Sequence, residues 1–224
     1  MKQCCSEKEN RAHVNLNKRF CNNNNLSADM KPPNVTLDNM CIIDLEQNRQ
    51  YAPQIKKLIQ MHRNKEISLR VVATSASELK LDHTHPRHFN EFKQRIASAG
   101  LDGVEILPTL GRFDFSFLDY CVYGDRWRDE LEKEIQSILF GTDEVEYPDF
   151  CQKHGYDKGA KKAWNDWVRN KCDVLTLWSH IWYNGDIFVT NDKNFHCQTK
   201  KPKLVELGSG KILTQPEVVK MLDC

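Results

Sequence analysis

The sequence of 224 residues predicts an α/β fold in which helices cover both faces of a mainly parallel sheet. Two observations support this fold class. Short apolar, β-branched segments alternate along the chain with segments of helical periodicity. Two of the short segments, residues 35–37 and 187–189, are followed at once or within a few positions by aspartates, Asp38 and Asp192. Strands that end in this way deliver side chains to the carboxyl edge of a sheet, where open α/β folds place their sites.

The strands and helices alternate in chain order. Strands are predicted where short runs of apolar and β-branched residues are bounded by polar residues or glycine, namely 35–37, 67–73, 104–107, 187–189, 204–207 and 212–214. Helices are predicted where apolar residues recur every three or four positions, namely 40–45, 53–61, 88–98, 127–140, 172–182 and the segment from Pro216 onward. The stretch from about residue 83 to residue 171 is longer than one crossover requires, so we expect an enlarged middle region.

Three helix boundaries carry specific signals. Ser75 and Glu78 have the spacing of a capping box after the strand 67–73. Asp173 lies in the first turn of the predicted helix 172–182, where the helix dipole favours an acidic residue. Asn184-Gly185 provides the end of that helix.

The first 33 residues are predicted to be a disordered polar leader, and residues 34–224 to form one domain. The leader has few large apolar residues, contains a run of asparagines and closes at Pro32-Pro33. It therefore lacks the apolar surface that a packed core needs. Met30 lies just before the first predicted strand and is a second candidate for the start of translation.

Composition excludes several classes of protein. The formal net charge is +1, so any contact with nucleic acid must depend on local patches. The start of the chain lacks the basic and apolar regions of a signal peptide, and no apolar run is long enough to cross a bilayer. We therefore expect a cytoplasmic protein whose nine cysteines are reduced.

Sequence motifs of several enzyme classes are also absent. The chain lacks the signatures of P-loop NTPases, dinucleotide enzymes and serine hydrolases. Its Cys and His residues lack the paired spacing of a structural zinc site.

Asp38 and Asp192 are far apart in sequence, so only the fold can bring them together. Neighbouring carboxylates repel one another unless a cation lies between them. The simplest such cation is a divalent metal ion, and hard Mg²⁺ or Mn²⁺ prefers oxygen ligands. The sequence therefore predicts a Mg²⁺ or Mn²⁺ site at the carboxyl edge of the sheet.

Several segments together resemble a PIN domain, the fold of many metal-dependent ribonucleases, including bacterial toxin nucleases. They are VTLDNMCIIDLE, SASEL, CDVLTLWSHIWYNGDIFVTNDKNF, LVEL and ILTQPEVV, and the resemblance runs from Asn34 to the C-terminus with a poorly matched middle third. The resemblance implies a three-layer α/β/α sandwich. It also implies that four carboxylates gather at the carboxyl edge of the sheet, those of Asp38, Glu78, Asp173 and Asp192.

The resemblance also suggests a role for each residue. Asp38 and Asp192 are expected to be direct metal ligands, Asp173 a ligand directly or through water, and Glu78 a residue that completes the acidic site or orients the attacking water. Three residues are expected to support these ligands through hydrogen bonds, namely Thr190, Asn191 and Asn194, the last standing where a further acid is sometimes found. Asn39 and Met40 stand where Thr or Ser and then Asn are usual.

The basic segment 153–171 is interleaved with aromatic residues and has two alternative explanations. It could track phosphates and stack on bases, or it could be a solvated helix with Trp164 and Trp167 turned into the core. On the first explanation, the candidate nucleic-acid contacts are basic residues of this segment and one beside Asp192, namely Lys161, Lys162, Arg169, Lys171 and Lys193.

We therefore predict a divalent-metal-dependent nuclease that hydrolyses phosphodiester bonds, in RNA rather than DNA. An inhibitory protein partner and oligomer formation are both compatible with this prediction. The alternative is a PIN-like scaffold whose metal site is weak or inactive. An enzyme acting on another phosphoester would share the same site.

Overall fold

A five-stranded parallel sheet lies at the centre of the computed structural model, which describes residues 31–77, 88–112 and 115–223. The predicted leader lies outside these residues, apart from its last three positions. The strands of this sheet are β1 (Asn34–Leu37), β2 (Ser68–Val72), β3 (Glu105–Leu107), β6 (Ile187–Val189) and β7 (Lys211–Leu213). Their spatial order is β3-β2-β1-β6-β7, and every neighbouring pair is parallel. Two shorter strands, β4 (Thr109–Leu110) and β5 (Cys121–Val122), form a separate parallel pair.

Helices connect the strands, as the alternating pattern predicts. In chain order they are α1 (Asn39–Glu46), α2 (Ala52–Arg63), α3 (Phe89–Ile96), α4 (Arg126–Phe140), α5 (Tyr147–His154), α6 (Lys161–Trp182), α7 (Lys193–His196), α8 (Lys201–Leu204) and α9 (Gln215–Leu222). The predicted helices 40–45, 53–61, 88–98 and 127–140 correspond to α1 to α4. Pro216 lies in the first turn of α9, as expected.

The two faces of the sheet bury separate apolar clusters, which confirms the predicted three-layer α/β/α sandwich. Alternate residues of a strand point to opposite faces. In β6, Ile187 and Val189 pack with apolar residues of α1, α2, α3 and α9, whereas Phe188 packs with those of α4, α5 and α6. The sheet is therefore covered on both sides, as parallel sheets usually are.

The chain order of the strands reverses between β1 and β6. From β1 the chain builds outward through β2 to β3, and it later returns to the other side of β1 with β6 and then β7. Open α/β sheets have a crevice at such a switch point, outside the carboxyl ends of the strands, and we call this place between β1 and β6 the crevice. The predicted aspartates follow these two strands.

The predicted strand 204–207 is wrong. Leu204 ends α8, and residues 205–209 form a wide helical turn. Leu204 and Leu207 are three positions apart, a spacing that suits a helix, and Pro202 provides a helix start. The edge position of the sheet is occupied instead by β7, which matches the predicted strand 212–214.

The position predicted for Asp173 at a helix start is also wrong. Helix α6 begins at Lys161, so Asp173 lies in its interior, roughly three turns from its first residue. The helix continues because no Gly or Pro interrupts residues 161–182, and because Ala163, Trp167 and Val168 extend its buried face. The dipole at a helix N-terminus therefore does not explain this aspartate.

The short connection between α6 and β6 requires a glycine. A Cβ atom at Gly185 would lie 2.1 Å from the ring of His180. His180 is fully buried, and its Nε2 lies 2.8 Å from the carbonyl oxygen of Ser209. Burial lowers the pKa of His180 to about 4, so its ring is neutral at pH 7. This close approach fixes α6 against β6.

The helices of the described part of the chain include none that is long and apolar enough to cross a membrane. Within that part, Cys41, Cys121, Cys151 and Cys197 are free thiols.

Candidate functional site

The carboxyl ends of β1 and β6 meet at the crevice. The backbone N–H of Asp38 donates to the carbonyl oxygen of Val189 over 3.0 Å, so the hydrogen bonds between β1 and β6 continue to this residue. On the other side, the N–H of Thr190 donates to the carbonyl oxygen of Leu213 over 3.1 Å. The first residues after both strands are thus held by the sheet itself.

Asp38 has a buried carboxylate with a hydrogen bond at each oxygen. Its side chain is the N-cap of α1, and Oδ1 accepts the N–H of Asn39 at 2.7 Å. Oδ2 accepts the hydroxyl of Thr190, also at 2.7 Å. The residue is only 7% exposed. The hydroxyl hydrogen bond to this carboxylate therefore comes from Thr190, the first residue after β6.

Thr190 also connects Asp38 to Asp192. Its hydroxyl oxygen accepts the backbone N–H of Asp192 at 3.0 Å. Asp192 is the N-cap of α7, and its Oδ1 accepts the N–H of Asn194 at 2.7 Å. One hydroxyl therefore lies between the two aspartates and is hydrogen-bonded to both.

The electrostatics of the pair are unfavourable without a cation. Burial raises the pKa of Asp38 from 3.8 to about 6, against the hydrogen bonds from Thr190 and Asn39, and the negative charge of Asp192 raises it further. Among the residues that the structure describes, neither Asp38 nor Asp192 forms a salt bridge, although many other acids there do. A cation would remove this penalty.

Asp173 lies in α6, and its distance from the sheet edge follows from the geometry of that helix. It precedes His180 by about two turns on the same face of α6, and the ring of His180 packs against Phe188 of β6 at 5.3 Å. Because α6 runs antiparallel to β6, Asp173 lies roughly 10 Å nearer the carboxyl edge than His180. Helix α6 also packs against the turn Ala73–Ala76 that follows β2.

Glu78 lies outside the described residues, so its predicted role stays a prediction. Ser77, the last described residue before it, is buried and donates its hydroxyl to the carbonyl oxygen of Phe115 at 2.8 Å. It follows the turn at the carboxyl end of β2, next to β1 in the sheet.

Within residues 31–77, 88–112 and 115–223, no three His, Cys, Asp or Glu side chains gather as a metal-binding group. The structure thus brings together Asp38 and Asp192, and Asp173 does not join them as the third member of such a group. Two carboxylates still fit Mg²⁺ or Mn²⁺ chemically, because Mg²⁺ usually keeps several waters and is bound through one or two carboxylates plus substrate phosphate. The buried, hard oxygen donors of Asp38 match that preference.

Two neighbours of the site were not expected from the sequence. Nε2 of His196 lies 2.9 Å from the carbonyl oxygen of Thr190, and the thiol of Cys41 lies 3.6 Å from that of Val189. Burial raises the pKa of Cys41, so this thiol is neutral. His196 follows Asp192 by one helical turn, and this spacing is the sequence signal that could have identified it.

The predicted supporting residues differ in their contacts. Asn194 contacts Asp192 through its backbone, and its side-chain oxygen accepts a hydrogen bond from Lys200. Asn191 is half-buried between Thr190 and Asp192. Of the three, only Thr190 has side-chain hydrogen bonds to both aspartates among the described contacts.

Most of the predicted nucleic-acid contacts on α6 are neutralised or buried. Lys162 and Arg169 both bind Asp166, while Lys161 is exposed. Lys171 is only 1% exposed and donates to Glu132 over 2.9 Å, so the prediction that it contacts nucleic acid is wrong. Trp167 is buried and donates Nε1–H to the carbonyl oxygen of Val145, which favours the core alternative for this helix.

Comparisons of the chain with protein-family models, with curated proteins and with solved structures gave no match. The likeness to PIN domains therefore stays a prediction from sequence, and the function is argued below from the residues themselves.

Replacing Asp38 by Asn is expected to alter the pH dependence of metal-free stability. Because the folded-state pKa of Asp38 is raised above its unfolded value, its stabilising contribution is present below pH 3.8 and is lost as the pH rises through about 6. A rise of this size corresponds to about 3 kcal/mol at neutral pH. The free energy of unfolding of Asp38→Asn should therefore increase relative to the parent between these pH values, measured by urea unfolding in EDTA.

The unfolding free energy must be compared between the parent and Asp38→Asn, because the contribution of His180 to stability has the opposite pH dependence. Its pKa is lowered to about 4, so its contribution to stability increases as the pH rises from there to 6.5. This contribution cancels in the difference between parent and variant. A difference that stays constant with pH would contradict the raised pKa of Asp38.

Proposed function

We propose that this chain is a divalent-metal-dependent nuclease that hydrolyses phosphodiester bonds in RNA and acts in the cytoplasm. The observation that carries the proposal is the pair Asp38 and Asp192 at the crevice between β1 and β6. A buried carboxylate is kept beside a second carboxylate, without a salt bridge to the described residues. A divalent cation would make this arrangement favourable.

Asp38 and Asp192 would hold the ion directly, with Asp173 binding directly or through water and Glu78 completing the site. When bound, Mg²⁺ or Mn²⁺ lowers the pKa of a water molecule and stabilises negative charge on the phosphate oxygens. The hydrogen bonds from Asn39 and Thr190 fix the orientation of the Asp38 carboxylate. Each carboxylate oxygen has two lone pairs, so one hydrogen bond still leaves a lone pair for an ion.

The competing explanation is that both aspartates serve only as helix caps. Each accepts a backbone N–H at the start of a helix, α1 for Asp38 and α7 for Asp192. Caps of this kind are common and contribute about 1 kcal/mol each. Capping alone, however, does not require Asp38 to be buried close to another carboxylate.

The direct test is RNA cleavage by the purified protein. We expect a labelled single-stranded RNA to be cut with Mg²⁺ or Mn²⁺, cleavage to stop with EDTA, and activity to return with excess Mn²⁺. Single-stranded DNA of the same base sequence is the matched control for the choice of RNA. Undiminished cleavage in EDTA would exclude the metal mechanism, and a lack of cleavage with every metal would favour the inactive scaffold.

A further inference from the structure

A lysine-rich surface adjoins the carboxylate pair on the side of α7 and α8. We call it the lysine surface, and its members are Lys193, Lys200, Lys201 and Lys203. No Asp or Glu occurs between the first and last of these residues in the sequence. In a protein of net charge +1, this segment is a local concentration of positive charge.

A surface cavity of about 690 Å³ lies between the C-terminal end of α4 and the lysine surface. Asn194, Thr199, Lys200 and Lys203 line it. Asn194 joins the cavity to the carboxylate pair, because its backbone N–H donates to Asp192 while its side-chain oxygen accepts from Lys200. A single residue, Asn194, therefore contacts Asp192 and also lines the cavity.

Lys200 is held in place within this cavity. Its Nζ donates to the carbonyl oxygen of Leu139 over 2.6 Å and to the side chain of Asn194. An ammonium group has three donors, so one donor is left for another acceptor. The contact with Leu139 also offsets the partial negative charge at the C-terminal end of α4, which would otherwise repel an anion.

The positive charge of the lysine surface is less neutralised than that of other basic segments. Lys153 pairs with Glu144, and Lys162 and Arg169 share Asp166. In the described part of the chain, no salt bridge is formed by any member of the lysine surface, and Lys193 and Lys203 are exposed. An acid close to this surface is Glu217, whose pKa is lowered first by hydrogen bonds from Thr214 and also by Lys201.

We infer that the lysine surface binds the phosphate backbone of a single-stranded RNA whose scissile phosphate reaches the carboxylate pair. The inference rests on the proposed function. The carboxylates themselves repel a polyanion, so a neighbouring source of positive charge is needed to hold the strand. Asn194 and Thr199 add neutral groups of the kind that contact phosphate oxygens.

The test is RNA binding without cleavage, measured by fluorescence anisotropy in EDTA. The probe is a fluorescein-labelled oligouridine of about 12 nucleotides. The double variant Lys193→Gln/Lys203→Gln is compared with Lys56→Gln/Lys65→Gln, which removes the same charge from two exposed lysines elsewhere. We expect the first variant to bind about tenfold more weakly and to lower the slope of log affinity against log salt by about 1.4.

The control variant should bind as the parent does, and all three proteins should melt at the same temperature. Equal losses in both double variants, or no binding by the parent, would overturn the inference. The nuclease proposal is tested separately by cleavage with Mn²⁺. If RNA binding is as expected but no cleavage occurs, the lysine surface is supported and the nuclease proposal is contradicted. If cleavage occurs but Lys193→Gln/Lys203→Gln leaves cleavage and binding unchanged, the nuclease proposal is supported and the lysine surface is contradicted.

Discussion

The Asp192→Asn variant is expected to lose Mn²⁺-dependent RNA cleavage by on the order of 100-fold or more. Its metal-free form should be as stable as the parent or more stable, because one of two repelling charges is removed. The amide that replaces the carboxylate offers no charged ligand, yet its oxygen can still accept the N–H of Asn194 and cap α7. Cleavage rates and metal-free melting temperatures together measure both effects.

Asp38→Asn should behave in the same way. The hydroxyl of Thr190 can accept as well as donate, so it can still contact the new amide. The matched control is Asp186→Asn at the opposite edge of the sheet, where the side chain accepts the N–H of Asn34 at 2.8 Å. This control removes the same charge and should keep parental activity. If Asp192→Asn and Asp38→Asn also keep it, the carboxylate site is wrong and both aspartates are only caps.

The Glu132→Gln variant is expected to lose about 3 kcal/mol of unfolding free energy. Glu132 is fully buried and pairs with both Arg112 and Lys171, the latter only 1% exposed. Without its charge, two cations remain close together in a poorly hydrated region, and burial already lowers the pKa of Lys171. The loss should appear as a fall in melting temperature of about 10 °C.

Glu130→Gln on the same helix is the control for this prediction. Its pair with Arg126 is exposed, with side-chain exposures of 45% and 82%, so its removal should change stability by less than about 1 kcal/mol. Equal, small effects of Glu132→Gln and Glu130→Gln would show that the Arg112, Glu132 and Lys171 group is well hydrated. Such a result would also reopen Lys171 as a contact for nucleic acid.

The sequence was most informative about features that depend on residues close together along the chain. A short β-branched run followed by Asp38, and another followed by Asp192, predicted two strand ends at one sheet edge, and the structure places them there. The same periodicities predicted the parallel sheet and the helices on both faces. These features follow from side-chain alternation and helical spacing, which are properties of neighbouring residues.

Other features depended on contacts between distant segments. The length of α6 and the interior position of Asp173 were missed because a basic start disguised a continuous helix whose buried face packs against α4 and the sheet. Lys171 looked like a surface cation because its partner, Glu132, is on another helix. The lysine surface likewise acquired its importance only when the fold placed it beside Asp192.

The sequence alone therefore determined the fold class and the two aspartates that end β1 and β6. Only the tertiary structure decided which charges are neutralised, which are buried and which remain available at the crevice. The physical reason is that the energy of a charge depends on its hydration and on its neighbours in space. Thr190 illustrates both kinds of information. Its place after a strand was visible in the sequence, whereas its hydrogen bond to Asp38 exists only because β1 and β6 are adjacent.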